Sequence, residues 1–258
     1  MQRTEQYAGP DVEQHTDRRP DVRELVRLWI SGWSVSRGSA DPVDRPWGWS
    51  IDVGAPVHEV GRHVLPEPTE AEVRALAATV TAPTTWLKLF AEDGTVRPWL
   101  GPEWRLDLPG FLMSTPLTAE RPEPPAGYTV TTWERGGVLR VLVRTRAGHQ
   151  AARGQAGLAG SVAVPDQITT APEFRRRGLG VLVMRTLQSA AYERGARTGV
   201  LVGTPEGQSL YTALGWTTHA PMASLVLEPQ PQPQQDQEQE QEQEPQPQPQ
   251  PQPADGQE

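Results

Sequence analysis

Apolar residues recur at helical spacing in three stretches of the chain. The first is Val22, Leu25, Val26, Trp29 and Trp33, which fall on one face behind the capping signature Asp21-x-x-Glu24. Trp29 and Trp33 are read as core, with a substrate cleft as the second reading. The next stripe is Val73, Leu76, Ala77 and Val80, opened by Thr69-x-x-Glu72 and ended by Pro83. The longest is Leu179, Leu182, Val183, Leu187, Ala190 and Ala191, with Gly195 where a left-handed cap is expected. A shorter helix is predicted from Glu206 to Leu214.

Between these stripes the pattern is that of strands. Trp47–Ile51 and the run 56–64 read as a hairpin across Val53-Gly54-Ala55. Thr84–Phe90 is a further strand, followed by a turn at Glu92-Asp93-Gly94. Trp104, Leu106 and Leu108 alternate with Arg105 and Asp107, as in a half-buried strand. Phe111-Leu112-Met113 is a short apolar run. Tyr128–Glu134 and Val138–Arg146 flank the hairpin turn Arg135-Gly136-Gly137. Gln150–Gly154 and Ser161–Thr170 complete a meander, and Thr198–Val202 follows the long helix. Thr217–Leu227 reads as two short strands broken at Pro221. Ser34–Pro46 reads as a turn-rich loop.

Composition divides the chain rather than classifying it. Prolines cluster at Pro116, Pro122, Pro124 and Pro125, so 117–127 is predicted to be a linker or an extended crossing segment. It separates an N-terminal helix-and-strand region, 20–116, from 128–228. Residues 1–19 are polar and read as disordered. Residues 229–258 alternate Pro-Gln and Glu-Gln, cannot bury a core, and read as a disordered tail that serves solubility or docking. The formal net charge is −8, and the tail holds seven acidic residues and no basic ones. The acidity therefore belongs to the tail and says little about the ligand of the folded part.

The chain has no cysteine, which excludes disulfides, thiolate metal sites and a cysteine nucleophile. That agrees with a cytoplasmic protein. Met1–Pro20 lacks the apolar core of a signal peptide, and no run reaches membrane-spanning length. His58 and His63 are the only close histidine pair, without the carboxylate pattern of a zinc site, so no metal is expected. Arg140 and Arg144 read as an exposed strand face; without interleaved aromatics or excess basic charge, no nucleic-acid partner is expected.

The candidate chemistry lies in Arg175-Arg176-Arg177-Gly178-Leu179-Gly180, between the β-prone Ile168-Thr169-Thr170 and the long helix. The first amides of a helix lack intrahelical partners, and the helix dipole makes that end positive. Glycines at 178 and 180 let a phosphate approach the main chain, and three arginines add charge. The alternative is a solvated basic turn.

Arg175-x-x-Gly178-x-Gly180 resembles the Q/R-x-x-G-x-G/A motif of the GCN5-related N-acetyltransferases (GNAT). Leu210-Tyr211-Thr212-Ala213-Leu214-Gly215-Trp216 resembles that family's L-Y-x-x-L-G-F segment, with Trp216 in the aromatic place. The two occur in the family's order. The resemblance spans roughly Tyr128 to Leu227.

It implies an α/β (α+β) fold: a mixed, mostly antiparallel sheet flanked by helices. Here the N-terminal half either completes that fold or is a degenerate second copy of it. It implies acetyl-coenzyme A as cosubstrate. Main-chain amides from Arg175, Arg176, Arg177, Gly178, Leu179 and Gly180 would hold the pyrophosphate. Ile168, Thr169 and Thr170 would pair with the pantetheine. Tyr211 would protonate the leaving thiolate, and the acceptor would be an unidentified amine, of a small molecule or a protein. Many such proteins pair, so a homodimer is one implied arrangement. Asp166, on the strand before the cofactor site, and Glu134, on an earlier strand, are the two carboxylates considered as base; each reads first as a solvated charge. Gly203-Thr204-Pro205 stands where the family has an asparagine. A non-catalytic acyl-coenzyme A sensor, or an interaction protein with a degenerate form of the fold, is the competing reading.

Overall fold

A computed structural model describes residues 21–55 and 58–229. The expectations for 1–19 and for the tail lie outside the described residues.

The first apolar stripe forms helix α1, Val22–Arg37, capped by the Asp21 carboxylate on the Arg23 amide at 3.0 Å. The reciprocal half of the capping signature is not made, because Glu24 pairs with Arg27 instead. Strands β1 (Val43–Arg45), β2 (Gly48–Ala55) and β3 (Glu59–Leu65) form a meander. The segment 34–46 is thus not a plain loop: α1 runs four residues into it, and β1 occupies its end. Helix α2, Glu70–Ala77, starts at Thr69, whose hydroxyl accepts from the Glu72 amide at 3.3 Å. It leads to β4, Thr85–Leu89, parallel to β3. The expected turn at Glu92–Gly94 is instead the start of a one-turn helix, α3, Asp93–Val96. Strands β5 (Trp104–Leu106) and β6 (Gly110–Pro116) end the first half, and Leu108 is exposed rather than half-buried.

The second half begins with β7 (Tyr128–Arg135), β8 (Val138–Thr145), β9 (Gln150–Ala159) and β10 (Val162–Thr170), an antiparallel meander. Helix α4, Leu179–Glu193, connects β10 to β11, Thr198–Gly203. Helix α5, Pro205–Ala213, precedes β12, Thr217–Leu227. β12 is one strand of 11 residues, not two. Pro221 lies just past a register shift between Thr218 and Ala220, opposite Phe111, and beyond it the strand changes neighbours. A proline lacks a ladder donor but does not end a strand where the ladder is already offset.

All these strands join one mostly antiparallel sheet of twelve, ordered β1-β2-β3-β4-β12-β6-β11-β10-β9-β8-β7, with β5 also on β12. The centre shows an exchange between halves. β6, from the first half, lies between β11 and β12; β12, from the second, lies between β4 and β6. α1 crosses to the second half as well. Its Leu25, Val26, Trp29, Ile30 and Trp33 share a core with Val162, Val164 and Val200. The approach is close enough that a Cβ on Gly157 would lie 1.9 Å from the Gly32 carbonyl oxygen. The apolar face of α4 covers the opposite side of β8, β9 and β10, through Leu179, Leu182, Val183 and Leu187. No helix among the described residues is long and apolar enough to cross a membrane.

Candidate functional site

The sheet opens at one place. β3 and β4 stay paired over five residues, Gly61↔Thr85 to Leu65↔Leu89. The matching parallel pair, β10 and β11, is joined only at Val162↔Thr198 and Ala163↔Gly199. Beyond Ala163 each strand keeps its outer neighbour, β10 to β9 through Thr170 and β11 to β6 through Gly203. The inner main-chain edges between them are left without strand partners. A bulge sits on the β10 side, where the register shifts between Asp166 and Thr169 and Gln167 takes φ 54°.

The basic glycine turn closes one end of this opening. Arg176 and Gly178 take left-handed φ values of 61° and 75° and aim the chain into α4. No side chain caps that helix, so its first amides, from Leu179, Gly180 and Val181, are left to an outside acceptor. A Cβ on Gly180 would come no nearer than 3.4 Å to the protein, so this glycine serves space beside the turn rather than internal packing. Arg175 and Arg176 line the resulting cavity of about 960 Å³. Arg177 does not. Its guanidinium turns to the Tyr128 hydroxyl at 3.2 Å and the Glu173 carbonyl at 2.9 Å. Ile168, Thr169 and Thr170 run along the exposed β10 edge of the same cavity.

Tyr211 comes to the cavity from α5, 9% exposed. Its ring is pressed against Gly203 and Gly207; a Cβ on Gly203 would lie 2.9 Å from it. Trp216 stands tilted beside it at 6.0 Å between centroids. The hydroxyl makes no hydrogen bond to another described residue. Burial, with the Asp166 charge nearby, pushes the phenol up to about 12.

Of the two carboxylates named from sequence, only Asp166 reaches the cavity. It is not solvated: Arg37 holds it with a two-pronged contact at 2.5 and 2.9 Å, and the Ser36 hydroxyl donates at 3.1 Å. Glu134 pairs with Arg194 on the outer strand β7, away from the cavity. His63 bonds to Ser50 at 3.1 Å and stacks edge-on with Trp47.

The cavity continues past the opening, under α1 and over the first half's strands. Trp29 and Trp33 line it there, so they are both core and cleft residues. The sequence reading missed three more lining side chains: Arg37, Arg62 and Lys88. Arg62 is 7% exposed, paired with Glu59 at 2.6 Å and stacked 3.6 Å from the Trp33 ring centre. Lys88 is 8% exposed. Its ammonium donates to the Ser224 hydroxyl at 3.2 Å and sits 4.0 Å over the Trp86 ring. Burial first, and the Arg62 charge second, lower it from the ordinary 10.5 to about 7, against Glu59 and Asp107, which raise it.

Solved structures share the overall arrangement. A GCN5-related N-acetyltransferase from Kribbella flavida aligns over 80% of this chain and 94% of its own, with a TM-score of 0.58 and 19% identity. The chain has the GNAT fold. A conserved protein of unknown function from Staphylococcus epidermidis aligns over 79% and 97%, with a TM-score of 0.50 and 10% identity. No protein-family model and no curated protein matches the sequence. The structural match covers four-fifths of the chain, so the GNAT fold here takes in the N-terminal half as well as 128–227.

Proposed function

We propose that the protein is an acetyl-coenzyme A-dependent N-acetyltransferase. The observation that carries this is the convergence of three features on one cavity. These are the parted β10–β11 edges, the uncapped start of α4, and the Tyr211 hydroxyl with no partner among the described residues.

The residues present suit the cosubstrate. Amides at Leu179, Gly180 and Val181, with Arg175 and Arg176 alongside, would hold a pyrophosphate. The free edge of β10 at Ile168, Thr169 and Thr170 would accept the pantetheine amides as an added strand. Acetyl-coenzyme A supplies a thioester, and the acceptor nitrogen attacks its carbonyl carbon; a C–N bond forms and the C–S bond breaks. Tyr211 donates a hydrogen bond to the departing sulfur. A phenol at about 12 is a weaker acid than a thiol, whose ordinary value is about 8.5, so it stays protonated throughout the neutral range. The proton gained by sulfur is matched by the one the attacking nitrogen loses. Asp166 is already engaged by Arg37 and Ser36, which makes it a poor base. That proton leaves through water in the open cavity. The Tyr211 hydroxyl favours an enzyme over a binding-only module, since a sensor has no use for an uncommitted donor facing the cavity there.

The test is an amine panel incubated with the full chain and acetyl-coenzyme A, read by thiol release and by the mass of the product. Enzyme-dependent N-acetyl product is expected. Thiol release absent with every amine, from protein that binds the cosubstrate, would leave the sensor reading in front.

A further inference from the structure

The far end of the cavity holds a buried amine that no carboxylate among the described residues pairs with. Three cations line that end: Arg37, Arg62 and Lys88. Arg37 is taken by Asp166, and Arg62 by Glu59. Asp107, at the rim, lies 3.8 Å from Arg105. Lys88 has only a neutral hydroxyl and an indole face. No carboxylate among the described residues lies within ion-pair distance of it. A buried ammonium without a counter-ion is costly, and the cost falls when an anion arrives.

We infer that Lys88 and Ser224 form an anion subsite, and that the acceptor is an amine carrying a carboxylate at its other end. This rests on the acetyltransferase reading for the role of the cavity, and it names the acceptor class. One ammonium, fully protonated once an anion is in place, suits a monoanion; a phosphate dianion would leave negative charge buried. Trp29 and Trp33 supply apolar wall between the two ends.

The geometry also sets the spacing. Ser224 is on β12, and β6 stands between β12 and β11, the edge of the opening. β6 pairs with β12 only as far as Met222, and Ser224 lies two residues beyond, so the two inter-strand steps, about 10 Å, are the least the span can be. The amino and carboxylate groups of an α-amino acid are too close to span that. An ω-amino acid with a chain of about eight atoms is the shortest that reaches.

The test uses the full chain and two probes, ω-acetamido-octanoate and its methyl ester, each titrated calorimetrically. A charge-assisted pair predicts that the acid binds at least about tenfold tighter than the ester. In Lys88→Met and in Lys88→Gln the ratio is expected to fall to within about twofold, as the charged partner is gone. Met is close to lysine in length and leaves no buried charge; the second variant keeps the test open if the first misfolds, which a thermal melt shows. Equal binding of acid and ester by the wild type, no binding of the acid, or a ratio retained in both variants would each overturn the inference. Acetyl-coenzyme A is titrated in parallel. Its binding without an acid preference removes the subsite alone. An acid preference without its binding removes the acetyltransferase reading and leaves the anion subsite.

Discussion

Tyr211→Phe is expected to lower kcat by about a hundredfold or more, the usual weight of a positioned hydrogen-bond donor to developing charge, with acetyl-coenzyme A affinity unchanged. The substitution is close to a pure removal of the hydroxyl. The ring keeps its contacts with Gly203, Gly207 and Trp216. No hydrogen bond to another described residue is lost with the oxygen, so nothing in the fold is left unpaired. Stability should therefore hold, and the effect should appear in kcat rather than in the binding of the thioester. Steady-state rates with a matched thermal melt check this. Unchanged turnover would make Tyr211 a packing residue and withdraw the proposed role.

The second large effect concerns the fold. The fragment 120–228, which carries both recognised motifs, is expected neither to unfold cooperatively nor to bind acetyl-coenzyme A. It lacks β6, which pairs with β11 over six residues and separates β11 from β12. Without it, both strands present long unpaired edges. The fragment also lacks α1, whose Leu25, Val26, Trp29, Ile30 and Trp33 are all buried against the second half's strands and their neighbours. Five such side chains at about 1.5–3 kcal/mol each rival the whole stability of a domain, about 5–15 kcal/mol. A sharp melt by the fragment, with the full chain's affinity, would show that the halves are separable. The exchange of β6 and β12, and the likeness of β3–α2–β4 to β10–α4–β11, favour a degenerate second copy of the fold that has become part of one unit. In the first half the parallel pair β3–β4 stays closed over five residues, which leaves no matching slot between those strands.

How much of this was legible follows from the range of each interaction. The glycine turn and the Tyr211 segment were readable because both are local: left-handed backbone at Gly178, an uncapped helix, a short helix ending at Gly215. α1 and α2 were readable from their stripes and caps. The exchange of β6 and β12 was not, because Phe111–Met113 shows only that the run is apolar and not which half it joins. Pro221 misled for a similar reason; the ladder offset that tolerates it is set by β6. Lys88 reads as the polar position of an alternating strand, Trp86-Leu87-Lys88-Leu89, and such a residue is ordinarily solvated. It is buried because that face of the sheet lies beneath α1, which no local pattern reports. The one available signal was its setting between Trp86 and Phe90 on a single face. Asp166 was noticed, but its partner Arg37 lies in the other half of the chain.

The central claim is that the parted strands and the glycine turn bind an acyl-coenzyme A. Calorimetric titration of acetyl-coenzyme A into the full chain tests it most directly, beside the double variant Arg176→Glu with Gly178→Asp. The account predicts one site per chain in the wild type and none in the variant, where two carboxylates stand at the start of α4. Absence of binding by folded wild-type protein, or equal binding by the folded variant, would contradict it.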